Sequence, residues 1–379
     1  MDRQPTPDLT VLASFSGEGG VERMLLNLLN VFATGGLRVE LLLIKTRSRH
    51  LRELHPAIRV VELGSRHTAT SLWPLLRYLR ARRPPRLLVA KDRAGRLAVL
   101  ARLLARSPSR LVVRLGTNLS AAQAQTHPLK RWLRRLPIRL LYPHIDQIVA
   151  VSEGVKQDTL AISGIPTGHI SVVRNPVVTP RLLELAQAPA PHPWLQEKQG
   201  PVILGAGRLT RQKDFPCLLR AFARLNESHP CRLIILGDGR QRTLLETLAR
   251  ELGIARKLAL PGFSDNPYAF MARADLFVLS SRWEGSPNVL TEAMALGTPV
   301  VATDCPSGPR ETLAGGRFGP LVPVGDWRAL GDAMGRALDQ PMDGDSLRAA
   351  VREYTAEASA SRYLEILEMP PRPSDAAVD

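Results

Sequence analysis

The sequence predicts an α/β protein with two doubly wound parallel-sheet domains that face a central cleft. At 379 residues the chain exceeds the size at which one hydrophobic core usually stops growing, so two domains are expected. Short apolar runs alternate with longer amphipathic stretches in both halves, as is typical of βαβ units. A Pro-rich stretch between the halves lacks apolar periodicity and predicts a linker at 181–200.

The elements follow in the same order in each half. In the first half strands are expected at Leu9–Phe15, Val39–Ile44, Val60–Leu63, Arg86–Ala90, Leu111–Leu115 and Gln147–Val151, with helices at Val21–Phe32 and Leu72–Arg82. In the second half strands are expected at Val202–Ala206, Leu233–Leu236, Lys257–Leu260, Leu276–Ser280 and Pro299–Thr303, with helices at Phe215–Asn226, Gln241–Leu252, Pro267–Ala272 and Val289–Leu296. The expected domains are therefore 1–180 and 201–345, followed by a helix at 346–367 that packs back on the first domain and a flexible tail at 368–379.

The net charge of +16 is concentrated in the first half of the chain. Residues 1–185 contain 29 Lys and Arg against 12 Asp and Glu, whereas the remainder contains 22 against 23. Such an asymmetry predicts an acidic partner for the first half: an anionic membrane surface, a phosphorylated acceptor or nucleic acid. The alternative is an arginine-rich surface with no partner.

The cysteines and the apolar runs indicate the compartment. Cys217, Cys231 and Cys305 are far apart and form no CxxC pair, which argues against a disulfide framework or structural zinc and suits a reducing cytosol. The N-terminus has no basic segment leading into an apolar run, and arginines interrupt stretches such as Leu97–Ala105. A cytoplasmic protein, peripheral at the inner face of the cell membrane, is expected. The segment Lys130–Tyr142 is either an interfacial element or a core helix with a solvent face.

The segment Ser281–Ala302 combines a strand end, a loop and the start of a helix. Ser286 and Pro287 predict the helix N-terminus, with Ser286 as N-cap and Pro287 at the first position. The free N–H groups and the positive dipole end of such a helix suit a diphosphate. Glu284 in the loop and Glu292 in the helix can each accept hydrogen bonds from sugar hydroxyls. The alternative is a capped helix with one exposed glutamate.

The turn Gly205–Phe215 follows a predicted strand and opens a helix. Its small residues allow close approach of a ligand, and Arg208 and Lys213 supply a planar fork and a point charge for a diphosphate. The turn has neither a full GxGxxG nor a P-loop pattern. Taken alone, a basic turn of this kind is more often a solvated loop.

Three weaker motifs complete the set. Gly237-Asp238-Gly239 is expected to be a turn that needs positive φ, with ligand contact as the alternative. Gly17–Arg23 opens the first helix, where its glycines could contact phosphates. Asp343-Gly344-Asp345 is interpreted as a helix N-terminus and not as a metal site.

Together these residues resemble the retaining family-4 glycosyltransferases of the GT-B fold. Four features occur in that family's order: Gly207-Arg208-Leu209 with Gln212–Phe215, Gly237–Gly239, Pro261–Phe263, and the Glu-x7-Glu spacing of Glu284 and Glu292. The resemblance covers about residues 200–312 well and the Gly19–Arg23 stretch more loosely. The string Asp304–Glu311 is similar to a subgroup that adds hexoses or N-acetylhexosamines during bacterial surface-glycan assembly.

The resemblance implies two Rossmann-like domains, the first for the acceptor and the second for a nucleotide sugar, expected to be a UDP-sugar. It assigns Glu284 to the sugar hydroxyls as the catalytic residue, Arg208 and Lys213 to the diphosphate, and Glu292 to the ribose. The other implied donor-binding residues are Gly19, Gly20, Gly285, Ser286, Asn288 and Val289. Relatives often place a histidine at a strand end where this chain has Arg114–Asn118, so no catalytic residue is predicted in the first domain, although His127 and His144 are available.

The implied reaction retains anomeric configuration by front-face attack, in which the leaving diphosphate takes the acceptor's proton. No metal or other cofactor is expected, because the motifs contain cations and a helix end in place of an acidic pair. The expected partners are a nucleotide sugar, a lipid-linked or glycan acceptor of the lipopolysaccharide or exopolysaccharide type, and an anionic membrane surface. A nucleotide-sugar epimerase would need an acid/base pair that the sequence does not offer. Nucleic-acid binding, which a pI near 10.7 suggests, is not expected, since RRM, KH and zinc-finger patterns are absent and aromatic residues are 5% of the chain.

Overall fold

The computed structural model describes residues 6–15, 19–46, 48–65, 67–123 and 127–369. The chain divides into two compact units. The first unit runs to Pro176 and resumes at Ala356, and the second unit is Val177–Thr355. The chain therefore enters the second unit a few residues before the expected domain end at 180 and leaves it ten residues after 345.

Each unit is built from parallel strands and the helices that connect them. The strands are β1 Leu9–Phe15, β2 Val39–Thr46, β3 Arg59–Glu62, β4 Arg86–Ala90, β5 Arg110–Leu115, β6 Gln147–Ala150, β7 Ile170–Val172, β8 Val202–Ala206, β9 Arg232–Leu236, β10 Leu258–Gly262, β11 Leu276–Leu279, β12 Val300–Thr303 and β13 Leu321–Val322. The helices are α1 Gly20–Thr34, α2 Leu72–Arg82, α3 Asp92–Ala105, α4 Leu119–Gln123, α5 Pro128–Leu141, α6 Glu153–Ser163, α7 Pro180–Ala186, α8 Pro193–Gln196, α9 Phe215–Ser228, α10 Arg242–Glu251, α11 Tyr268–Met271, α12 Asn288–Ala295, α13 Pro309–Thr312, α14 Trp327–Asp339, α15 Gly344–Ala350 and α16 Ala356–Ile366.

The sheet of the first unit has the order β3-β2-β1-β4-β5-β6-β7, and its strand pairs are parallel. Successive strand residues face opposite sides, so Leu12 of β1 joins one core cluster while Val11 and Ala13 join the other. Helices α2, α3, α5 and α6 cover one side, and α1 and α16 cover the other. A sheet buried on both faces explains why its strands read as continuous apolar runs.

The sheet of the second unit has the order β10-β9-β8-β11-β12-β13 and is also parallel. Helices α9, α10 and α14 pack on one face, and α7, α8, α11, α12 and α15 pack on the other. The strand order reverses between β8 and β11, as it does between β1 and β4 in the first unit. Both units are thus doubly wound, as predicted.

The predicted linker 181–200 is wrong, because these residues belong to the second unit and hold α7 and α8. Two prolines of this region, Pro180 and Pro193, occupy the first turns of α7 and α8, where a missing N–H is tolerated. Leu182, Ala186 and Leu195 are buried in the core of the unit. Apolar periodicity was hard to see because the helices span only seven and four residues.

The C-terminal segment also differs from its prediction. The single helix expected at 346–367 is two helices, because α15 ends at Ala350 and α16 begins at Ala356. Only α16 belongs to the first unit, where Ala360, Tyr363 and Leu364 pack in the cluster that α1 also lines. Residues 370–379 of the expected tail lie outside the described residues. Within the described ranges, no helix is long and apolar enough to cross a bilayer.

Candidate active site

The two strongest sequence motifs meet at the strand reversal of the second unit. The turn after β8 contains Arg208 and Lys213, and the loop after β11 contains Glu284. Because β8 and β11 are neighbours, both loops leave the carboxyl edge of the sheet side by side. Doubly wound sheets bind their ligands at this edge and at this reversal.

A buried ion pair joins the two loops. The Lys213 Nζ lies 2.6 Å from Oε1 of Glu284, and the Ser281 hydroxyl donates to the same oxygen at 2.6 Å. The side chains of Lys213 and Glu284 are only 16% and 8% exposed. A lysine held beside a carboxylate at the edge of the sheet presents one cation and one set of hydrogen-bond acceptors to the same small volume.

Hydrogen bonds between the two loops fix this pair. Arg282 N donates to Gln212 O at 2.7 Å, and Gln212 Nε2 donates to Trp283 O at 2.9 Å. The buried Asp214 also pairs with Arg282 at 2.9 Å. Burial raises the pKa of Asp214, and the guanidinium of Arg282 opposes that shift. Asp214 adopts a left-handed φ of 47° as it opens α9, which turns the chain sharply after Lys213.

Glycines let the neighbouring loops approach. Gly237 has a φ of 121°, and a Cβ there would clash with the carbonyl oxygen of Gly207. The structure thus bears out the turn interpretation of Gly237–Gly239. Gly308 has a φ of 100°, and a Cβ there would clash with Pro287. The loop after β12 is therefore packed on the loop that holds Glu284, whose N–H donates to Pro306 O at 3.2 Å.

The helix after the loop begins at Asn288, one residue after the start that Ser286 and Pro287 predict and one residue before the expected span Val289–Leu296. α12 starts at Asn288, with Pro287 in the N-cap position and no side-chain cap, so the prediction that Ser286 is the N-cap is wrong. The Leu290 and Thr291 amides donate to Pro287 O, and those of Asn288 and Val289 precede them in the first turn. Gly285 and Glu292 are buried, and Ser286, Asn288 and Val289 are half-buried. Glu292 is thus not the exposed helix glutamate of the alternative interpretation.

Arg208 differs from Lys213 in its surroundings. It is exposed, and its guanidinium has no acidic partner among the residues that the structure describes. Cys305 lies buried near the ion pair, and burial together with the charge of Glu284 raises the pKa of its thiol to about 12. The site therefore contains one paired and one unpaired cation, and a thiol that stays protonated.

The first unit holds Gly19 and Gly20 at the start of α1, both exposed, whereas Gly17 and Glu18 lie outside the described residues. Gly19 is the N-cap residue, and its carbonyl accepts from the Glu22 and Arg23 amides. The Glu22 carboxylate pairs with Lys91 Nζ at 3.0 Å across the reversal of the first sheet.

The sequence did not predict the Glu22–Lys91 pair or the burial of the Arg114 guanidinium. The Arg114 guanidinium is buried at the end of β5 and donates to Asn175 Oδ1 at 2.7 Å, and burial lowers its pKa. A charged residue inside an apolar strand run was the available signal. His127 and His144 are both exposed.

Asp343 accepts from Ser346 N at 2.9 Å and caps α15, which confirms the helix interpretation of that motif. Its neighbour Asp345 pairs with Arg348 at 2.7 Å.

Comparison with known proteins matches both units. Residues 190–358 match the family described as Glycosyl transferases group 1, and residues 19–176 match the Glycosyl transferase 4-like domain. A relative from Campylobacter jejuni is 32% identical over 69% of this chain and 68% of its own length. The chain belongs to the GT-B glycosyltransferases of this family. The inferred resemblance to family-4 glycosyltransferases of the GT-B fold is therefore confirmed, and the protein is a glycosyltransferase.

Two of the similar proteins have names that state a substrate or a glycan. The C. jejuni protein is N-acetylgalactosamine-N,N'-diacetylbacillosaminyl-diphospho-undecaprenol 4-alpha-N-acetylgalactosaminyltransferase. The lipopolysaccharide core biosynthesis glycosyltransferase LpsE of Rhizobium meliloti is 28% identical over 94% of this chain and 98% of its own length. Among solved structures, Anabaena HepE in complex with UDP and glucose has a TM-score of 0.75 at 18% identity and covers 96% of this chain and 99% of its own. At that identity the likeness shows the fold, which is GT-B.

Proposed function

We propose that this glycosyltransferase moves a hexose or N-acetylhexosamine from a UDP-sugar, with retention of configuration, to a lipid-linked or lipopolysaccharide-type glycan. The observation that carries the proposal is the Lys213–Glu284 pair at the strand reversal, beside the exposed Arg208. These residues supply the two kinds of group that a nucleotide sugar needs: cations for the diphosphate and a carboxylate for the sugar hydroxyls.

The pair solves a problem of charge. A carboxylate beside a diphosphate would repel it, but Glu284 is neutralised by Lys213 at 2.6 Å. One Glu284 oxygen, Oε1, is occupied by Lys213 and Ser281, whereas Oε2 accepts no hydrogen bond from the described residues. Oε2 would accept from the donor sugar, and the remaining protons of Lys213, together with Arg208, would contact the diphosphate.

The first turn of α12 would contribute in the same direction. Its leading amides and the positive end of the helix dipole favour an anion. Gly285, Ser286, Asn288 and Val289 would meet the phosphates and the sugar through this backbone, and Glu292 would hold the ribose. For Gly19 and Gly20, at the exposed start of α1 in the first unit, donor binding stays a prediction.

Relatives support the substrate classes. The C. jejuni relative is named for a diphospho-undecaprenol acceptor and LpsE for the lipopolysaccharide core. The HepE structure contains UDP and glucose, which supports a uridine nucleotide as the donor. In the proposed reaction the acceptor hydroxyl attacks the anomeric carbon on the face that the diphosphate leaves, and the leaving oxygen takes the hydroxyl proton. The enzyme then chiefly positions the two substrates and stabilises the leaving charge.

Nucleotide binding tests the donor site. Arg208→Ala and Lys213→Ala should each weaken UDP binding about tenfold or more, because each removes a charge-assisted contact of about 1.5–3 kcal/mol. Arg256→Ala, which changes another exposed arginine of the second unit, is the matched control and should leave UDP affinity unchanged. Calorimetry with UDP and GDP checks this. Unchanged UDP affinity in both site variants would refute the assignment.

Turnover tests the reaction. With a panel of UDP- and GDP-sugars and lipid-diphosphate acceptors, we expect a UDP-sugar to be used and the product to keep the donor's anomeric configuration, which the NMR coupling of the new anomeric proton reports. We also expect activity to survive EDTA, since the proposed phosphate ligands are cations and amides. Inverted product, or activity abolished by EDTA and restored by Mn²⁺, would contradict the proposed mechanism.

A further inference from the structure

Three neighbouring helices of the first unit, α2, α3 and α5, form a surface that we call the basic face. All three pack on the same side of the sheet through buried residues such as Leu79, Leu97 and Ile138. Arg80 of α2 donates to the carbonyl of Leu104 at the end of α3, which ties these two helices together. The basic face is thus one continuous side of the unit and lies away from the sheet.

Charge on this unit is distributed very unevenly. By sequence, the three helices of the basic face carry eleven Lys and Arg residues and one acidic residue, Asp92. The helices on the other side of the sheet are balanced: α1 has one acidic and one basic residue, and α16 has two acidic and one basic. Arg77, Arg93 and Arg134 of the basic face form no ion pair with a described residue. The positive excess of the first half is therefore concentrated on one side of one unit.

The same helices expose large apolar side chains. Eight of them are 41–69% exposed: Trp73, Leu100, Leu103, Leu104, Trp132, Leu133, Leu136 and Leu140. Ile138 of α5 faces the core, as does Tyr142 just past the end of the helix. The exposed residues of α5 are Trp132, Leu133, Leu136 and Leu140, and they face outward. The outward set recurs at three- and four-residue spacing, so it forms a stripe along the helix. Apolar stripe and cations occupy the same outer surface.

We propose that the basic face docks on the surface of an anionic lipid bilayer. Cations attract anionic headgroups, and the leucines and tryptophans insert at the boundary between headgroups and acyl chains. Nucleic acid would match the charge but would leave the leucines without a partner, because bases are contacted by stacking rings and hydrogen-bonding groups. A second copy of the chain would oppose one basic face to another and place like charges together. The inference goes beyond the proposed reaction and does not depend on it.

Vesicle sedimentation tests the proposal on the full chain. Phosphatidylcholine vesicles with and without phosphatidylglycerol are compared, and binding should require the anionic lipid. Because surface electrostatics are screened over about 8 Å at physiological salt and about 3 Å at 1 M, the bound fraction should fall steeply as NaCl is raised. Arg77→Glu, Arg93→Glu and Arg134→Glu combined should lower affinity for the anionic vesicles by about tenfold or more.

Two matched controls distinguish an effect of the basic face from a general effect of net charge or of exposed apolar residues. Arg256→Glu, Arg328→Glu and Arg352→Glu combined reverse three exposed arginines of the second unit and should leave vesicle binding near the parent value. Leu103→Gln, Leu133→Gln and Leu136→Gln combined should weaken binding about tenfold, whereas Leu183→Gln with Leu244→Gln, exposed leucines of the second unit, should not. UDP affinity is measured for every variant and should be retained, which shows that the variants fold and keeps this test separate from that of the donor site.

Several outcomes would overturn the proposal. Equal sedimentation with neutral and anionic vesicles, or none with either, excludes anionic lipid as the partner. If the variants of the basic face and the control variants lose vesicle binding to the same extent, the basic face is not the cause of that binding. If the protein binds no vesicles but binds an RNA oligonucleotide in a salt-sensitive way, and the arginine reversals abolish that binding, the basic face is assigned to nucleic acid. A dimer in sedimentation velocity that the leucine variant dissociates, without vesicle binding by the parent, would assign it to self-association.

Discussion

Replacement of Lys213 by methionine tests whether the ion pair at the sheet edge is a unit of stability as well as of binding. Methionine keeps the apolar stem, which lies against Gly207, and removes only the ammonium. Glu284, 8% exposed, would then keep the hydrogen bond that the Ser281 hydroxyl donates to Oε1 but would lose its counter-charge. The second unit would have to bury an uncompensated carboxylate.

The expected cost follows from the burial of the pair. Breaking a buried ion pair by removing one partner costs about 3–5 kcal/mol, and the 16% exposure of Lys213 puts this pair near the lower end. We therefore expect about 3 kcal/mol. Adding Glu284→Gln removes the stranded charge at nearly constant volume, so the double variant should recover about 1–3 kcal/mol relative to the sum of the singles.

Urea unfolding of the single and double variants, followed by tryptophan fluorescence, gives the cycle. Lys198→Met is the matched control, because Lys198 pairs with Asp275 at 2.8 Å but both side chains are more than a third exposed. Its loss should cost about 1 kcal/mol or less. If Lys213→Met is no more destabilising than Lys198→Met, and the Lys213 and Glu284 effects add, the pair has no energetic coupling and the reasoning from its burial is refuted.

Three further predictions concern the second unit. Gly237→Ala should lower the free energy of unfolding in urea by at least about 2 kcal/mol, because its φ is left-handed and the new Cβ would clash with the backbone of the turn after β8. Gly253→Ala, also at positive φ but in open space, should lower it by only about 1 kcal/mol. Equal losses would contradict the packing argument. Asp343→Ala should lower the free energy of unfolding by about 1 kcal/mol, because it removes the side-chain cap of α15. Turnover should be unchanged with or without added Mn²⁺. A loss of turnover that depends on the metal would support the metal interpretation instead. Thiol alkylation at pH 8 should be negligible in the folded protein and complete in urea, because the thiolate is the reactive form. Burial raises the pKa of Cys217 to about 12, that of Cys231 to about 11 and that of Cys305 to about 12. Fast labelling of these cysteines in the folded protein would contradict this.

The fold was predictable from the sequence where strands are long and buried. β1, β4 and β8 lie where the apolar runs predict them, because parallel strands covered on both faces leave an unbroken apolar signature. The strands that were missed, β7 and β13, have three and two residues, too few for any pattern. The linker prediction failed because proline signals both a loop and the first turn of a helix, and only packing distinguishes the two.

The residues of the candidate site were named from the sequence, but the contacts between them were not, and their roles stay predictions. Arg208, Lys213 and Glu284 were named from motif order, and the adjacency of β8 and β11 explains why Lys213 and Glu284, 71 residues apart, come together. The pairing of Lys213 with Glu284 could not be read from spacing, since it depends on the register of two strands and on the turn at Asp214. The proposed diphosphate role of Lys213 therefore starts from a lysine that is already engaged.

That engagement bears on what the high pI means. The cations proposed for the diphosphate lie in a half of the chain whose acidic and basic residues nearly balance, and the one that is buried is neutralised by Glu284. Donor recognition therefore accounts for almost none of the excess charge. The excess lies on helices that present unpaired arginines beside exposed leucines, where a solvated surface would need no apolar side chains. A local cation at a sheet edge suits a small anion of fixed geometry, whereas a broad field with apolar anchors suits an extended anionic surface. We therefore expect the two kinds of positive charge to have two different partners, with a weak salt dependence for UDP binding and a steep one for vesicle binding.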